Sequence, residues 1–220
     1  MSATPPSLPP SRRASDSTVR RLSLYLRFLE DFQAEGRQTV SSRHLASRGS
    51  TTAAQVRKDL SLFGSFGKRG LGYDVPQLAE RLRDILGLAR PWRVALVGAG
   101  RIGSALFHYP GFQERGFQLT AILDVATHRV GESWGAIRVQ HVADLETVVR
   151  DGQVDIVVVA VPGPAAQEVV DRAVAGGVKA FLNFAPVSLK VPSGVAVNNV
   201  NLAAELEVLS FHLLGRDARE

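Results

Sequence analysis

Residues 92–103 read WRVALVGAGRIG, the stretch that decides the fold of the larger part of this chain. Its apolar run predicts a buried strand, and glycines at 98, 100 and 103 follow at once and open a helix. The first glycine allows the tight turn, the second lets the backbone approach a pyrophosphate, and the third lets helix and strand pack closely. The N-terminus of the helix then stabilises the anion. We predict a dinucleotide phosphate loop made of Gly98, Ala99, Gly100, Arg101, Ile102 and Gly103.

The next predicted strand, FQLTAILD, ends in Asp124, 21 residues after Gly103. An acidic residue at this distance accepts hydrogen bonds from the adenosine ribose. Because a carboxylate repels a 2′-phosphate, the pattern favours NAD⁺ or NADH over the phosphorylated cofactor. The alternative is a glycine turn that binds nothing.

Strand-like and helix-like segments alternate through the rest of the chain. They are ADLETVVRDG (helix), VDIVVVAVP (strand), PAAQEVVDRAVAGG (helix), and VKAFLNF and GVAVNNV (strands). Such alternation predicts an α/β fold with a Rossmann-like, doubly wound parallel sheet and helices on both faces. The closing segment NLAAELEVLSFHLLG predicts a helix that is apolar on more than one side. It therefore needs burial on more than one side, between domains or between subunits.

The first ninety residues differ from the rest in charge. They hold 15 Lys and Arg against 8 Asp and Glu, a net charge of +7, while residues 91–220 carry −2, which together give +5. This asymmetry favours a module that binds a polyanion, joined to a nearly neutral one. The alternative is a basic surface that only maintains solubility.

The same region has the pattern of a winged helix-turn-helix domain. The apolar spacing predicts a helix from Asp16 that stops near Gly36. It predicts a second helix, capped by Ser41 or Ser42, through Arg48, and a third, capped by Ser50, Thr51 or Thr52, that runs to Phe63. A glycine-rich hairpin, GSFGKRGLGYDV, and a helix with Pro76 in its first turn complete the domain.

The third helix has one apolar side and one basic side. Val56, Leu60 and Phe63 fall together on a helical wheel and should face the core. The opposite side carries long donors beside small residues, as a recognition helix in the major groove requires. A basic hairpin tip is suited to the flanking minor groove. We predict DNA contacts from Gln55, Arg57, Lys58 and Ser61 on the helix and from Lys68 and Arg69 on the hairpin. The alternative is a solvated helix face.

Composition sets further bounds. The chain has 220 residues, 45% of them hydrophobic, and no cysteine, which excludes disulfides and thiolate metal sites and fits a cytoplasmic protein. No apolar run approaches the ~20 residues that span a bilayer, so we expect no membrane contact. Four prolines among the first ten residues predict a disordered leader. The predicted segments are a leader (1–15), a winged-helix DNA-binding domain (16–90), a Rossmann NAD(H)-binding domain (91–200), and a C-terminal helix and tail (201–220).

An enzymatic function finds little support in the sequence. Hydride transfer usually needs an acid or base placed near the nicotinamide. Of the five histidines only His108 follows the glycine loop closely, and it could equally cap or pack the helix. We identify no catalytic set and no metal site, and expect a binding protein rather than an enzyme.

Several motifs, in order across both domains, resemble the Rex redox-sensing repressors. They are QVRKDLSLFGSFGKRGLGY (55–73), VGAGRIGSAL (97–106), AVP (160–162), NFAPV (183–187) and the closing amphipathic helix. The resemblance covers roughly residues 16–214, and its first motif is highly specific. It implies a homodimer that binds a palindromic operator, is released by NADH, and swaps its C-terminal helix into the partner subunit.

The resemblance also implies roles for single residues. Tyr109 matches a tyrosine near the nicotinamide, and Arg27 an arginine that some members use in a redox-dependent contact between subunits. The segment Asn183, Phe184, Ala185 and Pro186 matches one bordering the nicotinamide pocket. Where some relatives carry Asp-Phe at the start of the last helix, this chain has Asn201-Leu202. This pair forms neither a charged bond with Arg27 nor an aromatic stack.

Three classes of function therefore stand side by side. The first is a repressor with NADH and NAD⁺ as regulatory ligands, in which an apolar interface pocket prefers NADH because burying the charged nicotinamide ring of NAD⁺ is costly. The second is a small NAD-linked oxidoreductase or CoA-ligase-like enzyme fused to a DNA-binding module. The third is a constitutive DNA-binding protein that no nucleotide affects.

Overall fold

The computed structural model describes residues 14–68 and 71–217. The chain forms two compact units, residues 1–90 and 91–220. The first unit has four helices and a small antiparallel sheet: α1 (Asp16–Ala34), β1 (Thr39–Val40), α2 (Ser42–Arg48), α3 (Ala53–Ser61), β2 (Gly67–Lys68), β3 (Gly72–Asp74) and α4 (Val75–Ile85). The predicted leader, apart from Ala14 and Ser15, lies outside the described residues.

Side-chain caps set where the helices of the first unit begin. The side chains of Ser15, Ser41, Thr52 and Asp74 each accept a hydrogen bond from a backbone N–H of the first turn. Of the caps that the sequence left open, Ser41 and Thr52 are used. Helix α3 ends at Ser61, two residues before the predicted end.

The core of the first unit lies between α1 and α4 and is closed by α2 and α3. Its buried residues include Leu22, Leu26 and Leu29 of α1 and Leu78 and Leu82 of α4. The sheet has the order β1-β3-β2, and β2 and β3 form the predicted hairpin. These are the parts of a winged helix-turn-helix domain, with α2 and α3 as the two short helices and β2-β3 as the wing.

A buried carboxylate joins α3 to α1. Asp59 of α3 is 1% exposed, and its two oxygens accept bonds from Arg21 Nε (2.7 Å) and Nη2 (2.8 Å) and from the Tyr25 hydroxyl (2.9 Å). Burial alone would raise the pKa of Asp59, but the hydrogen bonds from Arg21, Gln55 and Tyr25 outweigh it and lower the pKa below its ordinary value. Burial and the bond to Asp59 raise the pKa of Tyr25 to about 12.

The second unit is built on a seven-stranded sheet. Its elements are β4 (Trp92–Val97), α5 (Arg101–Phe107), α6 (Pro110–Glu114), β5 (Phe117–Asp124), β6 (Ser133–Trp134), β7 (Ile137–His141), α7 (Leu145–Asp151), β8 (Ile156–Val159), α8 (Gly163–Ala175), β9 (Ala180–Asn183), β10 (Ala196–Asn199) and α9 (Leu202–Asp217). A 3₁₀ turn at Val142–Asp144 precedes α7.

The strand order is β10-β9-β8-β4-β5-β7-β6, and all neighbours are parallel except β6 and β7. The chain runs outward from β4 through β5 to β7 and then returns to the other side of β4 with β8. This is the doubly wound Rossmann arrangement that the alternating pattern predicts, with its topological switch point beside β4. The hairpin of β6 and β7 and the short helix α6 were not predicted.

Helix α9 leaves apolar side chains uncovered. More than half of each of seven such side chains is exposed in the single chain: Leu202, Leu206, Val208, Leu209, Phe211, Leu213 and Leu214. They are spread around the helix rather than gathered in one stripe, as the sequence predicts. Among the described helices none has the length and hydrophobicity that crossing a bilayer requires.

The Asp59 cluster predicts a pH dependence of stability. Because the pKa of Asp59 is lower in the folded chain than its ordinary 3.8, this carboxylate stabilises the fold fully above that pH. This stabilisation of the fold is lost as the pH falls through the folded-state pKa, because protonation of Asp59 removes the charge that pairs with Arg21. Urea unfolding followed by circular dichroism at pH 7 and pH 3 measures the loss.

The matched control is Asp59→Asn, which removes the titrating group but keeps the shape of the side chain. Its unfolding free energy should be lower than that of the wild type at pH 7, by about 3 kcal/mol. It should also fall less between pH 7 and pH 3. An equal decline in both proteins would show that Asp59 does not contribute to the acid sensitivity.

Candidate DNA-binding surface and dinucleotide site

Helix α3 presents the side that the sequence assigns to DNA. Ala54, Arg57, Lys58 and Ser61 are exposed, whereas Val56 and Leu60 are buried. Phe63, just beyond the helix, packs against the same core. The predicted orientation of the helix is therefore confirmed, while contact of these side chains with DNA stays a prediction.

The polar side chains of α3 differ in how freely they can reach a partner. Arg57 donates from Nη1 to the Ser42 hydroxyl (3.1 Å), which holds its guanidinium near the start of α2. The Ser61 hydroxyl donates to the Lys58 carbonyl (2.8 Å). Gln55 donates from Nε2 to Asp59 (2.7 Å) and is half-buried. The Lys58 side chain has no hydrogen bond or ion pair with any described residue, so no described residue restrains its ammonium group.

A cleft of about 470 Å³ lies between α3 and the wing, with both polar and apolar side chains in its lining. Arg57 and Ser61 line one wall, and Ser65 and Gly67 line the other. In the wing Gly67 pairs with Tyr73, and a Cβ at residue 67 would lie 2.9 Å from the Tyr73 ring, so only glycine fits there. The Lys68 side chain and all of Arg69, both predicted DNA contacts, lie outside the described residues.

The three glycines of the phosphate loop have the three predicted geometries. Gly98 has φ +104°, and a Cβ there would overlap with the Ala160 carbonyl oxygen. A Cβ at residue 103 would overlap with the Gly98 carbonyl oxygen, so the missing side chain lets α5 lie directly against the end of β4. At Gly100, which begins α5, a Cβ would meet nothing within 4 Å. The space above Gly100 is thus open for the close approach of a phosphate group.

Asp124 is tied to this loop. One carboxylate oxygen accepts from the Ala99 N–H (2.6 Å) and the other from the Ala126 N–H (2.7 Å). Each oxygen retains further acceptor capacity for a ribose hydroxyl. The geometry thus fits the predicted role and fixes the carboxylate between the loops that follow β4 and β5.

Backbone bonds bring four loops to one edge of the sheet. Gly98 N–H donates to Leu123 O (2.8 Å), Ala160 N–H to Val97 O (2.8 Å) and Phe184 N–H to Val159 O (2.9 Å). The loops after β5, β4, β8 and β9 therefore lie side by side at the carboxyl ends of the strands. Ligands of doubly wound sheets bind at this edge. The predicted site residues do not include the AVP loop (160–162), although this loop lies between the glycine loop and the segment 183–186. The signal that could have found it is the apolar run VDIVVVAVP, which ends in Pro162.

Asn183 holds the loop that follows β9 in place. Its side chain is fully buried, donates to the carbonyls of Ala185 and Val187 (both 3.1 Å) and to Asn199 Oδ1 (2.8 Å), and accepts from the Ala185 N–H (2.9 Å). Ala185 is buried as well. Of the predicted segment, Phe184 is half-buried and Pro186 exposed, so these two are better placed for ligand contact, which stays a prediction.

The resemblance implies roles for three further residues, each described within its own unit. Tyr109 follows the far end of α5, a helix of seven residues and so about 10 Å long. Its ring is 56% exposed and packs edge-to-face on Phe112, with centroids 5.3 Å apart. Arg27 is exposed on α1 and has no partner among the described residues. The Asn201 side chain accepts from the N–H groups of Ala203 (3.1 Å) and Ala204 (3.2 Å) and so caps α9.

The histidine next to the loop has a local role. His108 Nδ1 lies 2.8 Å from the Ser104 carbonyl, one turn earlier in α5. This contact caps the C-terminal end of α5, as one of the two interpretations of His108 from the sequence predicts.

Two family models match the chain, one over each unit. A model described as "Putative DNA-binding protein N-terminus" matches residues 14–61, and one described as "CoA binding domain" matches residues 89–187. Among curated proteins, a redox-sensing transcriptional repressor Rex from Syntrophomonas wolfei is 46% identical over 90% of this chain and 94% of its own length. One of the same name from Streptomyces coelicolor is 46% identical over 92% of this chain and 78% of its own length.

Solved structures of RSP, described as a Rex-family repressor, have the same fold. RSP in complex with β-NAD⁺ and operator DNA matches with a TM-score of 0.88 and 36% identity over 93% of this chain and 94% of that one. RSP in complex with β-NADH matches with a TM-score of 0.85 and 34% identity, over 94% and 97% of the two chains.

The same substitution at two glycines separates ligand binding from folding. Gly100→Ala adds a methyl group to open space, so the melting temperature should stay unchanged while NADH affinity falls at least about tenfold, because the backbone no longer approaches the pyrophosphate. Gly103→Ala forces α5 away from β4 and should destabilise the fold by about 1–3 kcal/mol. Fluorescence titration with NADH and thermal unfolding measure the two effects. Unchanged NADH affinity in Gly100→Ala would place the dinucleotide elsewhere.

Proposed function

Because the chain belongs to the Rex family of redox-sensing transcriptional repressors, we propose that it binds an inverted-repeat operator as a homodimer and releases it when NADH binds. One observation carries this proposal: a single chain combines an outward-facing basic helix, α3, with an open glycine loop at the switch point of a Rossmann sheet. We assign DNA binding to residues 16–90 and dinucleotide binding to residues 91–200. Residues 201–220 form the helix and tail that are swapped into the partner subunit. We place this function in the cytoplasm, since a cysteine-free chain suits a reducing compartment.

Operator binding rests on α3 and the wing. Arg57 and Lys58 supply charge to the phosphates and donors to base edges in the major groove, and the exposed Ala54 lets the helix sit deep. Lys68 and Arg69 continue the basic surface into the minor groove. Two copies related by a twofold axis then contact two half-sites about 34–36 Å apart, one turn of the double helix.

Dinucleotide binding rests on the edge of the sheet. The loop Gly98–Gly103, including Ala99, Arg101 and Ile102, surrounds the pyrophosphate, and Asp124 accepts the adenosine ribose hydroxyls. Phe184 and Pro186 border the nicotinamide half, with Tyr109 beside it. The neutral ring of NADH enters an apolar pocket at lower cost than the charged ring of NAD⁺.

The two sites are coupled through the dimer. The exposed apolar surface of α9 requires cover, and a second copy of the chain supplies it when the helices exchange. NADH shifts the dimer only by its differential affinity for the two arrangements, and a change from 1:99 to 99:1 needs about 5.5 kcal/mol. Asn201 caps α9 and carries no charge, so it offers Arg27 no charged pair.

An operator titration tests the proposal. Selection from random duplexes should yield an inverted repeat, and added NADH should release the labelled operator at concentrations at which NAD⁺ does not. Arg57→Glu should abolish operator binding and leave NADH affinity intact, because it reverses a charge on the exposed side of α3 only.

Two results would contradict the proposal. Operator binding that NADH does not change would indicate the constitutive DNA-binding protein. Steady oxidation of NADH with an ordinary metabolite would indicate the enzyme fused to a DNA-binding module.

The dimer has its own test at α9. Leu206→Asp combined with Leu213→Asp places two charges on the apolar surface and should convert the dimer to a monomer in sedimentation experiments, because a buried unpaired charge is costly. The matched control, Glu207→Gln, changes a polar residue of the same helix and should leave the dimer intact. A double variant with the sedimentation of the wild type would show that α9 is not the interface.

A further inference from the structure

The amide group of Gln55 has a fixed orientation. Its nitrogen lies 2.7 Å from Asp59 Oδ1, one helical turn along α3. An ionised carboxylate only accepts hydrogen bonds, so the atom facing it must be the amide nitrogen, and the carbonyl oxygen must point away. No described residue donates to that oxygen. Among the described residues no buried side-chain oxygen or nitrogen lacks a partner, so this unpaired oxygen reaches solvent in the first turn of the helix proposed to contact DNA.

Asp59 itself cannot turn to release this constraint. Arg21 holds both of its oxygens, at 2.7 Å and 2.8 Å, and the Tyr25 hydroxyl holds one of them at 2.9 Å. These donors come from α1, 34 and 38 residues earlier in the chain, so the carboxylate is fixed relative to the core and not only to its own helix. The backbone of Gln55 is fixed as well, because its N–H donates to the Thr52 cap (3.1 Å).

We propose that Asp59 is a positioning residue for base recognition: it holds the Gln55 carbonyl outward, so that Gln55 recognises a base with an exocyclic amino group, an adenine or a cytosine. The inference rests on the proposed function, since it concerns how α3 recognises the operator. In the major groove adenine N6 and cytosine N4 are the donors, whereas guanine O6 and thymine O4 are acceptors. A glutamine free to rotate could satisfy either class. Here the oxygen is held outward, and of the two amide hydrogens only the one not bonded to Asp59 remains to donate beside it.

Base analogues in the operator provide the experiment, with the full-length protein. In a selected operator each adenine is replaced in turn by purine, which lacks the N6 amino group, and each cytosine by 2-pyrimidinone, which lacks the N4 group. At one position per half-site, the analogue should weaken operator binding by the wild type about fivefold more than binding by Gln55→Ala. Only the wild type loses a hydrogen bond there, and about fivefold is the cost of one. Comparing the two proteins on each duplex removes any effect of the analogue on the DNA alone.

A second scan replaces guanine by 2-aminopurine and thymine by 4-deoxythymine, which lack O6 and O4. Coupling with Gln55 in the first scan supports the proposed orientation, whereas coupling confined to the second scan overturns it. Asp59→Asn should abolish the discrimination while leaving NADH affinity unchanged. Tyr25→Phe is the matched control, because it removes one bond to Asp59 but not the bond to Gln55, and it should retain the wild-type profile.

Outcomes for the two proposals are distinct. A wild-type protein that selects no duplex sequence contradicts both. A protein that selects an operator and releases it with NADH, but whose analogue profile is the same in Gln55→Ala, contradicts this inference alone. Should Asp59→Asn fail to fold, the comparison of the two scans in the wild type and Gln55→Ala still decides the matter.

Discussion

Helix α5 can lie against the end of β4 only because residue 103 has no side chain. The Gly98 carbonyl oxygen occupies the space that a Cβ would need, and the turn at Gly98 in its own right requires a positive φ beside the Ala160 carbonyl. This backbone contact fixes where α5 begins, and with it the open space above Gly100. It also places the Ala99 N–H opposite Asp124, so the glycine loop and the Asp124 carboxylate are held together by a direct hydrogen bond.

The larger part of the architecture follows from sequence patterns, for physical reasons. Apolar runs such as VDIVVVAVP, which contains β8, and a glycine turn with three distinct steric demands leave few alternatives. Short elements carry less information. The hairpin of β6 and β7 and the five-residue helix α6 depend on the sheet and on aromatic neighbours for stability, so their own residues hardly distinguish them from loops.

The candidate sites divide in the same way. The exposed side of α3 follows from a helical wheel, because burial of Val56 and Leu60 leaves only one side for solvent. Asp59 could not be recognised as a buried residue, since an acid on a polar helix normally faces water and its partners Arg21 and Tyr25 are distant in sequence. Asn183 is similar: it lies in a motif associated with ligand contact, yet its burial under the loop depends on β10, whose Asn199 it contacts.

The exposed apolar surface of α9 affects how many newly made chains survive in the cell. A newly made chain carries seven largely uncovered apolar side chains, and until they are covered, aggregation and proteolysis compete with association. Because pairing in the proposed dimer is second order in chain concentration and proteolysis is first order, a larger fraction of chains should escape proteolysis at a higher rate of synthesis. In the proposed dimer, subunits of different origin should mix slowly, because exchange would expose α9 to water again.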